Sequence, residues 1–241
     1  MTKYGMVIDL QRCTGCGGCI VACKNENNLP EGIAWSSKIT ETVGIFPDVR
    51  FTYIPTLCNH CEDAPCVSGC PTNAMHNGEN GLVLHEPDIC IGCRYCMARC
   101  PYGVISFNWE DPHKSWKMET ELIPDGTASP AALTQQVGGT VIPYYNPENE
   151  ASYTGIRPRG VVEKCNFCAP RLERDQLPYC VEACPADARI FGDLDDPNSD
   201  VSEILDKFKP TRLKEELGTK PKVSYVREFN RTAYKKTKGG V

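Results

Sequence analysis

Residues 90–101 read CIGCRYCMARCP, four cysteines in eleven positions closed by a proline. The same C-x2-C-x2-C-x3-C spacing occurs earlier in the 241-residue chain at Cys13, Cys16, Cys19 and Cys23. In Cys58, Cys61, Cys66 and Cys70 the middle gap widens to four residues, and in Cys165, Cys168, Cys180 and Cys184 eleven residues separate two pairs. Together the four groups use all 16 cysteines. A chain of this length can bury a core without covalent staples. The thiols therefore point to chemistry rather than to a substitute for apolar burial.

Three kinds of chemistry use thiols at such spacings. Disulfides require an oxidised, exported chain, and cysteines two residues apart are poorly placed to bridge each other. Structural zinc takes two C-x2-C pairs across a longer loop, a pattern that the fourth group could satisfy alone. The other three groups put three thiolates within seven to nine residues, which suits an iron–sulfide cube better than one tetrahedral ion. The run C-x2-C-x2-C-x3-C-P is the one in which bacterial ferredoxins send the fourth cysteine to the other cluster of a pair.

The spacing also has a mechanical meaning. Thiolates at two-residue intervals let the backbone curl round a cube with amide groups aimed at its sulfurs. Gly15, Gly17 and Gly18 are expected to supply positive φ in the first loop. The third and fourth cysteines of each group lie four apart, a rise of about 6 Å on a short helix. Such a helix can stand between two clusters. Pro71, Pro101 and Pro185 then follow the fourth cysteine and stop the helix, whereas the first group has Lys24. VIDLQRCTGCGGC (7–19) parallels LHEPDICIGCRYC (84–96), and CPTNAMH, CPYGVISF and CPADARIFG repeat the exit. These segments read as strand, cluster loop, helix, turn and strand, the half-unit of an α+β ferredoxin-like module.

Composition is that of an ordinary globular chain, 41% hydrophobic and 24% charged, with no apolar run long enough to span a bilayer. MTKYGMVIDLQRC lacks the basic and apolar regions of a signal peptide. Residues 206–241 carry 11 Lys or Arg against 4 Asp or Glu, so with a whole-chain charge of -5 the rest stands at -12. The basic residues are scattered and no nucleic-acid-binding signature accompanies them. This basic segment reads instead as lying on its own acidic body or on a partner.

Over residues 4 to about 229 the chain resembles the four-cluster iron–sulfur subunits of complex molybdopterin oxidoreductases. That family serves dimethyl sulfoxide, polysulfide, nitrate and respiratory arsenate reductases and formate dehydrogenases. The resemblance rests on the four groups in order, on YIPTLCNHCEDAPC (53–66) and on GTKPKVSYV (218–226). Within the family MVIDLQRCTGCGGC, CPTNAMH, CPYGVISFN, GDLDDP and DGTASP are most similar to the small subunit of the respiratory arsenate reductases. The resemblance implies four 4Fe–4S clusters with crossed ligands. Cys13, Cys16, Cys19 and Cys184 would hold the first, and Cys23, Cys165, Cys168 and Cys180 the second. Cys58, Cys61, Cys66 and Cys100 would hold the third, and Cys70, Cys90, Cys93 and Cys96 the fourth.

The implied architecture is two pseudo-symmetric modules of two clusters each. Residues 1–57 with 161–205 form the first and 58–108 the second. A spacer at 109–160 covers a cluster or a partner, and 206–241 forms a partner-binding arm. The implied function is relay of electrons between a molybdopterin-bearing catalytic subunit and a membrane quinol-oxidising subunit or a cytochrome, with no catalytic residue on this chain. Export beside a signal-bearing partner, common in the family, implies the periplasm or outer membrane face, the cytoplasm being the other possibility. Other readings of the same ligands are a free polyferredoxin, the electron-transfer subunit of a hydrogenase, and a zinc-stabilised interaction protein.

Arg12, Lys24, Arg94, Arg99 and Lys164 adjoin ligand cysteines and are candidates to raise cluster potentials. Of the four histidines, His60, His76, His85 and His113, none has a paired metal spacing, and His60, inside CNHC, is placed to donate to a cluster sulfur. No phosphate-cradling loop or nucleophile elbow is present.

Overall fold

The computed structural model describes residues 2–30, 32–110, 128–139 and 158–227. The architecture is α+β, with short helices set among one three-stranded and three two-stranded sheets in the described residues. Strand β1 (Tyr4–Asp9) is buried from Gly5 onward and forms the centre of the three-stranded sheet. It needs cover on both edges and both faces, because its apolar residues fall on every position rather than alternating. Later parts of the chain supply that cover. β8 (Arg189–Asp193) pairs antiparallel with it, Tyr4 opposite Asp193 and Ile8 opposite Arg189, and β9 (Val223–Val226) pairs parallel, Met6 opposite Val223.

Strands β2 (Ser36–Ile45) and β3 (Asp48–Leu57) form a hairpin paired along all ten residues, from Ser36 opposite Leu57 to Ile45 opposite Asp48. Its base is buried at Ser36, Ile54 and Leu57, while Ile45, Phe46 and Phe51 stand exposed towards the tip. β4 (Met75–Asn77) and β5 (Val83–His85) make a small hairpin between the second and third cysteine groups. β6 (Ser106–Phe107) pairs with β7 (Val162–Glu163), so that the 109–160 segment leaves and re-enters at one point. Of that spacer residues 109–110, 128–139 and 158–160 are described, helix α4 (Pro130–Gln136) among them, and its covering role and His113 lie outside the described residues.

Each cysteine group carries a helix near its third thiol. These are α1 (Gly18–Glu26), α2 (Pro65–Ser68), α3 (Tyr95–Arg99) and α6 (Tyr179–Glu182), while α5 (Ala169–Leu172) follows Cys168. Only α1 runs on past its fourth cysteine. In the other three groups proline follows that cysteine, so the helix stops and Cys70, Cys100 and Cys184 lie just beyond it. Gly15 and Gly17 adopt the expected positive φ, 70° and 80°, but Gly18 does not, because it opens the helix.

The 206–241 segment, as far as it is described, lies on the chain's own body. Helix α7 (Asp200–Lys207), capped by Ser199, packs Val201 against Val7 and Val226. Further on, Lys222 and Glu62 exchange backbone bonds with partners on either side of the turn, Lys222 N to Asn59 O at 2.9 Å and Glu62 N to Lys220 O at 3.0 Å. β9 then enters the sheet because its VSYV run buries every side chain. Burial of such apolar residues contributes on the order of 1.5–3 kcal/mol each, more than a solvated arm would gain.

Candidate metal centres

The fold draws the sixteen thiols into four sets. One cavity is lined by Cys13, Cys16, Cys19 and Cys184, with Pro55 and Arg189 in its wall. A second is lined by Cys58, Cys61, Cys66 and Cys100, with Asn59, Tyr102 and Lys164. A third is lined by Cys70, Cys90, Cys93 and Cys96, with Val162 and His85. In the remaining set, Cys23 feels the charges of Cys165, Cys168 and Cys180, and the Asn27 amide reaches both Cys23 Sγ at 3.7 Å and Cys168 Sγ at 4.0 Å.

The loops are shaped to aim N–H groups at sulfur. Gly18 N donates to Cys16 Sγ at 3.5 Å, Phe167 N to Cys165 Sγ at 3.4 Å, Met75 N to Cys70 Sγ at 3.3 Å and Ala188 N to Cys184 Sγ at 3.3 Å. Getting there requires left-handed backbone at His60, Gly92, Arg94, Phe167 and Cys168 as well as at Gly15 and Gly17. In the first loop Gly15 is also pressed by a neighbour. A Cβ there would lie 2.5 Å from the Tyr53 ring.

The electrostatics ask for a cation. Burial, with a neighbouring thiolate adding to it, pushes Cys66 and Cys168 up to about 12 and Cys96 to about 11. Cys23 and Cys165 are raised by the same causes. Cys16, by contrast, is lowered chiefly by an amide, that of Gly18. A metal entering such a set displaces the protons and supplies the charge that makes thiolates stable there. Among the described residues no three His, Cys, Asp or Glu side chains converge closely enough to hold one ion. In three of the sets the thiols line a cavity, the arrangement that a cube requires.

Buried N–H groups without a protein acceptor fit the same body. Among the described residues Asn59 Nδ2 and Arg189 Nε are buried with no partner, and both side chains line cysteine cavities. Sulfide at the cube's corners would accept from them.

The cations named from sequence separate by burial. Lys164 is 3% exposed and donates to Val83 O and Cys165 O. Arg12 is half exposed and paired with Asp9 at 3.7 Å, Lys24 is drawn to the carbonyls of Pro30 and Ile33, and Arg99 reaches Pro65 O at the surface. Arg94 lies over the rings of Phe107 and Trp109. The cation that sequence adjacency misses is Arg189, 3% exposed, whose Nη1 donates to Cys180 Sγ at 3.4 Å. Burial opposes its charge, but Cys180 and Cys19 outweigh burial and hold the guanidinium protonated.

His60 is fully buried, and its Nδ1 accepts from Val83 N at 3.0 Å, which leaves the proton on Nε2. Burial, then the charges of Lys164 and Lys222, keep the ring neutral. His76 Nδ1 lies 3.2 Å from Ala74 O, and His85 lines the cavity of Cys70, Cys90, Cys93 and Cys96.

The model of the 4Fe-4S dicluster domain family matches residues 49–142 and again 140–194. The arsenate respiratory reductase iron-sulfur subunit of Shewanella sp. (strain ANA-3) is 55% identical over 233 residues, 96% of this chain and 100% of that one. A putative dimethyl sulfoxide reductase iron-sulfur subunit of Halobacterium salinarum is 40% identical, over 94% of this chain and 79% of its own length. A selenate reductase subunit of Mesobacillus selenatarsenatis is 39% identical, over 93% and 72%. No helix in the described residues is long and apolar enough to cross a membrane. With thiols for four 4Fe–4S clusters, the chain belongs to the ferredoxin-like iron–sulfur subunits of complex molybdopterin oxidoreductases, as a non-catalytic carrier of electrons.

Proposed function

We propose that the chain relays electrons for an arsenate reductase-like molybdopterin subunit, with the ligands crossed between groups. The observation that carries the crossing is the make-up of the cavities. Each of the three takes three cysteines from one group and the fourth from another, Cys184 joining group one, Cys100 group two and Cys70 group three. Cys23 among Cys165, Cys168 and Cys180 completes the pattern.

A 4Fe–4S cluster supplies one-electron storage at a potential set by its surroundings. In this reading the four sites form a row. Helices α1 and α6 pack together between the Cys13 set and the Cys23 set. The Cys165 thiol, next to Lys164, feels the charge of Cys58 across to the third set. Helices α2 and α3 pack together between the third and fourth. Because tunnelling decays exponentially with distance, such subdivision is what makes a long path fast. Cys16 and Cys93 are the exposed cysteines, one in each terminal set, and so mark where electrons enter and leave.

This reading divides the chain into modules of residues 1–57 with 161–205 and 58–108. It places the complex in the periplasm or on the outer membrane face, delivered by a signal-bearing partner. A membrane quinol-oxidising subunit or a cytochrome supplies the electrons. The 55% identity to an arsenate respiratory reductase subunit over its full length supports the choice of catalytic partner.

The test is anaerobic purification with the neighbouring large subunit. Four clusters of four irons give about 16 Fe per chain, and the complex reduces arsenate with a reduced dye as donor. Cys100→Ser perturbs the site of Cys58, Cys61 and Cys66. Perturbation of the Cys90 site in its place rejects the crossed pairing.

A further inference from the structure

We infer that Arg189 is a positioning residue shared by two clusters, a buried cation that raises both of their potentials together. The inference rests on the crossed ligand sets proposed above. Its side chain lines the cavity of Cys13, Cys16, Cys19 and Cys184, while its Nη1 donates to Cys180 of the adjacent set at 3.4 Å. Nη2 donates to Ser36 Oγ at 2.9 Å, and Ser36 is itself 2% exposed at the foot of the β2–β3 hairpin. One nitrogen is thus spent on one set, one on an anchor, and Nε–H is left buried with no acceptor among the described residues.

A native protein rarely leaves an N–H of a charged group so placed. Sulfur in the first cavity is the acceptor that the geometry offers. The planar guanidinium fork suits two acceptors on different sides at once, which a lysine of the same charge does not match.

The position has a structural cause. Arg189 begins β8 opposite Ile8, so the strand that closes the main sheet also carries the cation into the gap between the two thiol sets. The exit segment CPADARIFG gives Cys184 to one set and Arg189, five residues later, to the space between them. Reducing either site by one electron adds negative charge beside a fixed positive one at low effective dielectric, so reduction is favoured at both. The fixed cation acts on the two sites additively, so its removal lowers both potentials together.

The experiment is an EPR-monitored redox titration of the iron-loaded complex carrying Arg189→Gln, Arg189→Lys or Ser36→Ala, with iron counted in each. Clusters are assigned by the cysteine-to-serine series. Arg189→Gln is expected to keep wild-type iron and to shift the oxidised-to-reduced ratio of both first-module clusters at fixed potential by on the order of tenfold, about 59 mV for a one-electron couple. The other two clusters stay where they were. Arg189→Lys keeps the charge and loses the fork, so at least one of the two potentials still falls. Ser36→Ala keeps charge and fork, holds full iron and moves the two potentials by less than Arg189→Gln does.

Wild-type iron with unmoved potentials in Arg189→Gln overturns the inference, as does a shift confined to one cluster. If Arg189→Gln fails to load iron, Arg189→Lys decides alone, and two unmoved potentials there reject the shared role. A wrong ligand assignment shows differently, as loss at the wrong site in Cys100→Ser.

Discussion

The rings of His60 and Phe167 stack with centroids 3.9 Å apart and planes 25° from parallel. Each is the third residue of a C-N-x-C loop, 58–61 and 165–168, and each sits at positive φ. The contact therefore ties the second cysteine group to the fourth through two strained loops with the same Cys-Asn start. Phe167 also meets Phe191 of β8 edge-on at 5.3 Å, which extends the stack into the main sheet.

Removing this ring should be felt globally. Phe167 is 1% exposed, so Phe167→Ala is expected to destabilise by about 3–5 kcal/mol, and Phe167→Leu by about 1–2 kcal/mol. Urea midpoints of the iron-loaded complex measure both. Equal, small effects would show that the stack is replaceable packing.

The first loop separates strain from crowding. Gly15 and Gly17 both have positive φ, but only Gly15 has a ring against it, Tyr53 at 2.5 Å from a built Cβ, while Gly17 has open space. Gly17→Ala should cost about 1 kcal/mol of backbone strain. Gly15→Ala adds the collision and is expected to lower iron at the Cys13 site specifically. Iron counts and EPR of the two variants, side by side, give the comparison.

Charges at the same sequence distance from a ligand should act unequally. Arg12→Gln removes a half-exposed cation already paired with Asp9, and solvent screening keeps its effect on the nearby potential under about twofold in the redox ratio. Lys164→Gln removes a cation that is 3% exposed in the wall of the Cys58 cavity. Its expected effect is on the order of tenfold in the ratio, towards the oxidised form. Redox titration at two salt concentrations checks both, since only the Arg12 effect is salt-dependent.

Acid should act through His85. Burial, with Lys164 and His76 adding to it, lowers its pKa from 6.5 to about 4. The folded-state value lies below the unfolded one, so the unfolded chain binds the extra proton between these values. Stability is full above pH 6.5 and is lost as pH falls towards 4. Between pH 7 and pH 5 this is about 2 kcal/mol. His85→Gln should flatten that part of the stability curve, read as the difference between wild-type and variant urea midpoints at the two pH values.

What could be read in the sequence was local. Cysteine spacing, the proline that halts a helix after Cys70, Cys100 or Cys184, and the positive φ of Gly15 and Gly17 depend on neighbours a few residues away. Gly18 shows the limit, since a helix start and a loop end look alike in CTGCGGC. Arg189 is invisible by the same logic. It lies five residues past a ligand, and its role comes from the pairing of β8 with Ile8 at the far end of the chain. Adjacency picks out Arg12 and Lys164 alike, because burial is decided by tertiary packing. The β2–β3 hairpin had a legible signal in the alternation of SSKITETVGI with DVRFTYIPTL, hidden by the exposed apolar side chains near its tip. The β9 strand, read as part of a basic arm, had its signal in VSYV.

Among the described strands, β1 lies between the two that the ribosome delivers last. A nascent chain halted after residue 108 already holds Cys58 to Cys100 but lacks Lys164 and Val162, which wall two of the cavities, and β1 still has both edges bare. The cavity of Cys13, Cys16 and Cys19 is complete only once translation has passed Cys184, and the sheet beneath it only once Val226 has emerged. A quality-control step that inspects this one strand would in effect be checking that translation has reached Val226.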